Sequence, residues 1–298
     1  MRIRNAFTMI ELIFVIVVMG ILGKFGVEFL RQAYESYIAS SINNTLQANS
    51  GTAVEFIAAR LQDRIKDSII VRMGDSNLTV VPLSDADYNT TYTILEWIGA
   101  DGDGFRGNSD GTTTLNKPNW SGIADLDHPD ANASVLVSPE TNTTKVDTLI
   151  DVLSNTSRSI DDAALYFIGS NSDIQSGYGW NGQIIDQNST MHPINKVASQ
   201  PTQFKSVIGN FQDVYEYYKL AWTAYAVVFE TNTSNLLLYY NYQPWNGDDY
   251  LDGNSSIIMN NVSTFQSIAI GSVVKIQVCA KSNLTNQEYS LCKEKTIF

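Results

Sequence analysis

Histidine and cysteine are nearly missing from this chain, with two of each in 298 residues. His128 and His192 stand far apart and each precedes a proline, so both read as loop residues and a paired-histidine metal motif is absent. There is no Gly-x-x-x-x-Gly-Lys phosphate loop. Once the two cysteines pair, no Cys–His arrangement is left for nucleophilic catalysis. Enzyme chemistry is therefore poorly supported, and no catalytic residue is assigned. Basic residues are also few, 19 against 31 acidic, for a net charge of −12. They are scattered singly, so a nucleic acid is a poor partner.

What the chain does have is concentrated at its start. Arg2 and Arg4 form a short basic stub, and an apolar run follows from Phe7 to Leu22 with a single carboxylate inside it, Glu11. A charge in the middle of a membrane helix costs about 2.5–3.5 kcal/mol or more, so it is rarely accidental. An ordinary secretory signal has a shorter core and a small-residue cleavage site after it. Here no such site follows, because Gly23-Lys24-Phe25-Gly26 leads straight into a helical pattern. A plain membrane anchor fits the length, since a span needs ~17–25 residues, but gives Glu11 no role. The third reading is a cut between Ala6 and Phe7 that leaves the apolar core on the mature chain.

The run Phe7-Thr8-Met9-Ile10-Glu11-Leu12-Ile13, followed by Val15–Leu22, resembles the prepilin class-III leader of type IV pilins and type II secretion pseudopilins. Where that family carries Gly before the cut, this chain carries Ala6. The resemblance covers about residues 1–30 and is architectural beyond them. It implies cleavage by prepilin peptidase, a methylated Phe7 amine, and no enzymatic activity. It also implies that Glu11 meets the Phe7 amine of a neighbouring subunit. Both charges are expensive alone in an apolar setting, and their pairing would set the axial register of a filament. Arg2 and Arg4 would keep the stub cytoplasmic and send the rest across the inner membrane into the periplasm.

Beyond the apolar run, Phe25, Phe29, Ala33, Tyr37 and Ile38, then Val54, Ile57, Ala58, Leu61, Ile65 and Ile69, recur at helical spacing. One helix is expected over residues 7–71, kinked near Gly51, with an amphipathic second half. Short β-rich runs follow at 78–81, 93–98, 165–168, 221–229, 236–242, 268–270 and 273–279, with a hairpin turn at 230–235. Residues 148–153 and 214–220 read as short helices. The fold class expected is α+β, a long N-terminal helix on an antiparallel sheet, pilin-like. The implied division is a leader (1–6), a membrane and filament-core helix (7–29), its amphipathic continuation (30–73) and an exported β-rich domain (74–298). In an exported chain Cys279 and Cys292 are expected to pair, closing a short loop as in pilin-type proteins; two buried thiols are the alternative.

Two acidic loops could hold calcium, the one cofactor in view: Asp101 and Asp103, and Asp248, Asp249 and Asp252. The first departs from the EF-hand pattern at Phe105. The plainer reading of both is Asp-Gly turns. Twelve Asn-x-Ser/Thr sites are present, and seven have Asp or Glu two residues before the Asn: Asn77, Asn89, Asn132, Asn142, Asn188, Asn232 and Asn254. With 31 acidic residues in 298, chance would supply about one. The extended pattern resembles the acceptor site of a bacterial periplasmic oligosaccharyltransferase; composition alone is the competing account.

The function expected is a structural subunit, a minor pseudopilin of a type II secretion pseudopilus or a type IV pilus subunit. Its partners would be other pilin or pseudopilin subunits, the prepilin peptidase, the inner-membrane assembly platform and the membrane itself. Residues 53–70, the late strands and Cys279 loosely resemble the J-type minor pseudopilin. The alternatives are a type IV minor pilin with an adhesive tip domain, and a membrane-anchored periplasmic binding protein or enzyme outside any filament.

Overall fold

A computed structural model describes residues 8–74, 79–87, 90–107, 117–170, 173–174, 176–282 and 289–298. The chain opens with one helix, α1 (Met9–Gln62), whose 54 residues span about 80 Å at 1.5 Å per residue. Only its second half packs. Ile42, Leu46, Ser50, Ala53, Val54, Ile57, Ala58 and Leu61 are its buried positions, a single face at three- and four-residue spacing. Ser50, Ala53 and Ala58 keep that face flat, and the Ser50 hydroxyl donates back to Leu46 O at 2.7 Å. The helix passes Gly51 without a break.

The helix stops nine residues short of the expected end. Arg64 donates from Nη1 to Leu61 O at 2.7 Å and from Nη2 to Ser272 O at 2.9 Å, so its side chain satisfies a terminal carbonyl. Ile65 N–H bonds Ile98 O at 2.9 Å instead of continuing the helix. The β-branched residues that follow then enter strand β1 (Ile70–Arg72), which is buried throughout. Sheet pairing overrides the helical spacing there.

Sheet one has the order β11-β10-β9-β3-β1-β2, all antiparallel, with β2 (Val81–Pro82), β3 (Ile94–Gly99), β9 (Thr223–Glu230), β10 (Asn235–Tyr242) and β11 (Asn254–Met259). Both faces are covered, which is why β3 reads as an unbroken buried run. Leu95 and Trp97 face α1, while Ile94 and Ile98 join a second core with Tyr178, Trp180 and Trp245. A three-stranded meander, β12 (Val262–Ile270), β13 (Val273–Lys281) and β14 (Ser290–Ile297), completes the cradle around the helix. Its Val274, Ile276 and Val278 pack in the same core as Ile57 and Leu61.

A second lobe adds sheet β4-β7-β6-β5-β8, from β4 (Val135–Val137), β5 (Ala164–Phe167), β6 (Met191–Val197), β7 (Gln200–Ser206) and β8 (Tyr218–Ala221). Helix α3 (Thr143–Leu153) sets Val146 and Ile150 against Leu136 and Phe204; a short helix, α2 (Gly102–Arg106), precedes it in the chain. The α+β class and the antiparallel sheets agree with the sequence reading. Residues 214–220, read as a helix, contribute strand β8 instead, and His192 lies fully buried in β6 rather than in a loop.

Candidate assembly interface

Among the described residues, none buries the first half of α1. Met9 is 82% exposed, Phe25 69% and Phe29 71%, and of the large apolar residues between them all but the half-buried Val18 are exposed. Burying a side chain of this size is worth roughly 1.5–3 kcal/mol, so a bare run of this extent marks a surface meant to be covered. The segment is long and apolar enough to cross a membrane. Its end is marked by Glu28, Arg31 and Glu35 on one face, with Arg31 bridging to both carboxylates at 3.0 and 3.2 Å. Beyond it, polar ties hold α1 to β14 and its approach. Tyr289 donates to Asn43 Oδ1 at 2.7 Å, and Lys295 pairs with Glu55.

Glu11 sits at the mouth of the helix. Thr8 is the N-cap residue; its backbone N–H and its hydroxyl both donate to Glu11 Oε2, at 2.9 and 2.8 Å, while Glu11 N–H donates to Thr8 Oγ1 at 3.4 Å. This is a capping box, and the Thr-x-x-Glu spacing carried the signal for it in the sequence. The carboxylate is thus oriented within its own chain while remaining exposed. Ala6 and Phe7 lie outside the described residues.

The remaining expected sites fall as follows. Cys279 and Cys292 stand opposite each other in the β13–β14 ladder and are joined by a disulfide. Asp101 is buried and committed. Its Oδ1 accepts from Gly104 N–H at 3.0 Å and its Oδ2 from Trp120 Nε1 at 3.0 Å, and burial pushes its carboxyl above the usual range against those bonds. Asp103 pairs with Arg106 at 3.2 Å. Asp248 pairs with Arg158 at 2.8 Å. Asp249 and Asp252 cap the turn between them. Among the described residues no three acidic, histidine or cysteine side chains converge on a metal-sized space. Of the seven extended asparagines, Asn132, Asn188, Asn232 and Asn254 are exposed and Asn142 is half-buried. Asn77 and Asn89 lie outside the described residues.

Two letter patterns overlooked in the sequence fail on structural context. Gly102, Gly104 and Gly107 have the Gly-x-Gly-x-x-Gly spacing of a dinucleotide loop after strand β3. That motif needs a parallel βαβ unit; β3 is antiparallel to both neighbours, α2 has five residues, and the Asp101 carboxylate already occupies its first turn. Gly107, Ser109 and Gly111 spell a nucleophile elbow, but an elbow follows a strand, and here a helix precedes Gly107. Ser109 lies outside the described residues.

Sequence reasoning also missed the buried His192. Gln187 Nε2 donates to Pro193 O at 2.7 Å, which turns Gln187 Oε1 toward His192 Nδ1 at 3.1 Å. Nδ1 therefore carries the proton, and burial lowers the ring's pKa to about 4.

The chain matches no family model, no curated protein and no solved structure.

Proposed function

We propose that the chain is a structural subunit of a pilin-like filament, in the manner of a minor pseudopilin of type II secretion, and not an enzyme. The observation that carries this reading is the uncovered apolar half of α1 with Glu11 at its start, projecting from a body that clasps only the other half. Lipid would cover that half before assembly and neighbouring helices afterwards. Arg2 and Arg4 favour a cytoplasmic stub, and the Cys279–Cys292 disulfide favours an oxidising compartment for the body. The second lobe, absent from the minimal helix-on-sheet plan, favours a minor subunit and leaves an adhesive tip pilin as the second reading.

The test is Glu11→Val. Removing a charge from an apolar helix leaves membrane insertion at or above the parental level. It also removes the partner of the Phe7 amine in the next subunit, so recovery of the chain in sheared filaments falls at least tenfold. Equal recovery of the variant and the parent would refute the register role.

A further inference from the structure

We infer that the folded chain is an acceptor for N-linked oligosaccharide at three positions, Asn132, Asn232 and Asn254, and that fold geometry withholds Asn142 and Asn188. The acidic residue two before the asparagine and the hydroxyl two after it bound a segment of about five residues, and a segment that must enter another protein's site is presented best where all of it lies at the surface. The five described segments of that form divide cleanly. In 130–134, 230–234 and 252–256 every residue is exposed or half-buried. In 140–144, Thr141 and Thr143 are buried; in 186–190, Gln187 and Thr190 are.

Local bonding sharpens the division. Asn142 is the N-cap of α3, its side chain accepting from Lys145 N–H at 3.1 Å, so withdrawing it would uncap a helix. Gln187, inside the Asn188 segment, is buried and bonded to Pro193 O and His192. By contrast, Asn232 occupies the tip of the β9–β10 turn, and Asn254 begins β11, an edge strand whose residues Asn254, Ser255 and Ser256 pair on one side only, with Tyr240, Tyr239 and Leu238. Asn132 holds a tight turn in which its Oδ1 accepts from the N–H and hydroxyl of Ser134, at 2.9 and 3.1 Å. Among the described residues its Nδ2, the atom that reacts, has only a 3.5 Å contact, to Asp130 O.

The four described sites without the acidic residue behave differently. Each has at least one buried residue between positions −2 and +2, namely Ile42, Asn119, Ser154 and Val262 among others. The three fully open segments are thus all acid-bearing, a coincidence that composition does not require.

The co-reactant is a polyprenyl-pyrophosphate-linked oligosaccharide. The asparagine Nδ2 forms a bond to the anomeric carbon, the bond from that carbon to the pyrophosphate oxygen breaks, and the lipid pyrophosphate leaves with the electron pair. The displaced amide proton passes to a base on the transferase. In cells this rests on export of residues beyond the apolar run, so the test is made outside cells. The full chain in detergent, folded or unfolded in urea and diluted, is incubated with a purified transferase that requires the acidic residue and with that donor. Peptide mass mapping of the folded chain should find glycan on Asn132, Asn232 and Asn254, with Asn142 and Asn188 joining only after unfolding. Glu230→Gln should cut occupancy at Asn232 more than tenfold and leave the other two unchanged. A chain left bare in both states, modified only when unfolded, or modified evenly at all five sites when folded would overturn the inference. Protein taken bare from cells that possess the transferase, with the isolated reaction positive, would count against export alone.

Discussion

Arg72 Nε donates to Glu96 Oε1 at 2.6 Å, with the Glu96 side chain wholly buried and Arg72 nearly so. Tyr242 OH donates to the second Glu96 oxygen at 3.0 Å, and Arg72 Nη2 to Trp180 O at 3.0 Å. The pair lies on the face of β3 away from α1, in the core that joins the central sheet to Trp180 and Trp245. Its lone pairs and protons are met from three separate segments.

Glu96→Gln should therefore destabilise the chain by ~3–5 kcal/mol, because it leaves a buried guanidinium without its counter-charge. Replacing both partners by apolar residues, as in Arg72→Met with Glu96→Leu, should cost less than the single change. Urea unfolding of the full chain in detergent measures both. A double variant weaker than Glu96→Gln would contradict this account of the pair.

His192 makes stability depend on pH in a stated direction. Its pKa in the folded chain is about 4, below the usual 6.5. Between those values the unfolded chain binds a proton that the folded chain refuses, so stability falls as pH drops from about 6.5 to about 4. Above 6.5 this contribution is fully present. The loss is of order 3 kcal/mol at one pKa unit per 1.36 kcal/mol. His192→Met should flatten the denaturant midpoint over that range relative to the parent, and parallel curves would contradict it.

The Cys279–Cys292 bond closes a loop with a sequence separation of 13. On the chain-entropy account its removal costs ~3 kcal/mol. Because β13 packs in the core shared with α1, Cys292→Ser should lower the thermal midpoint of the whole helix-and-sheet unit. A midpoint unchanged by dithiothreitol in the parent would contradict this.

The parts of the fold legible in the sequence are those with strong local periodicity. The apolar run, the buried face from Val54 to Leu61 and the β9–β10 hairpin each appear where alternation or helical spacing is clean. The strands that escaped notice lack that pattern. β6 contains His192 and Pro193, β7 begins Gln-Pro-Thr-Gln, and β14 carries Lys293, Glu294 and Lys295. Their pairing comes from long-range neighbours that a local window does not see. The end of α1 departs from the sequence pattern for the same reason, since Ile65 and Ile69–Val71 keep helical spacing but are drawn into the sheet by Ile98 and β3. On the apolar half of α1, Glu11 stands out because a lone charge in an apolar run is costly, and the Thr-x-x-Glu spacing marks its Thr8 partner, whose two bonds to the carboxylate come from the geometry.

Processing gives a further test of the helix start. Ala6→Leu places a bulky side chain where the resemblance to prepilins expects a small one. The variant should accumulate in the membrane at full length, seen as a slower band on gels. Trimming at the parental rate would contradict the cut between Ala6 and Phe7.

The most direct measurement is the N-terminal mass of the protein isolated from the membrane of cells that carry a prepilin peptidase. The account requires a chain that begins at Phe7 with a methylated amine, keeping the entire apolar half of α1. An intact Met1 would make the segment a plain anchor. A start at residue 24 or later would mean conventional secretion, and either result would contradict the filament-subunit reading.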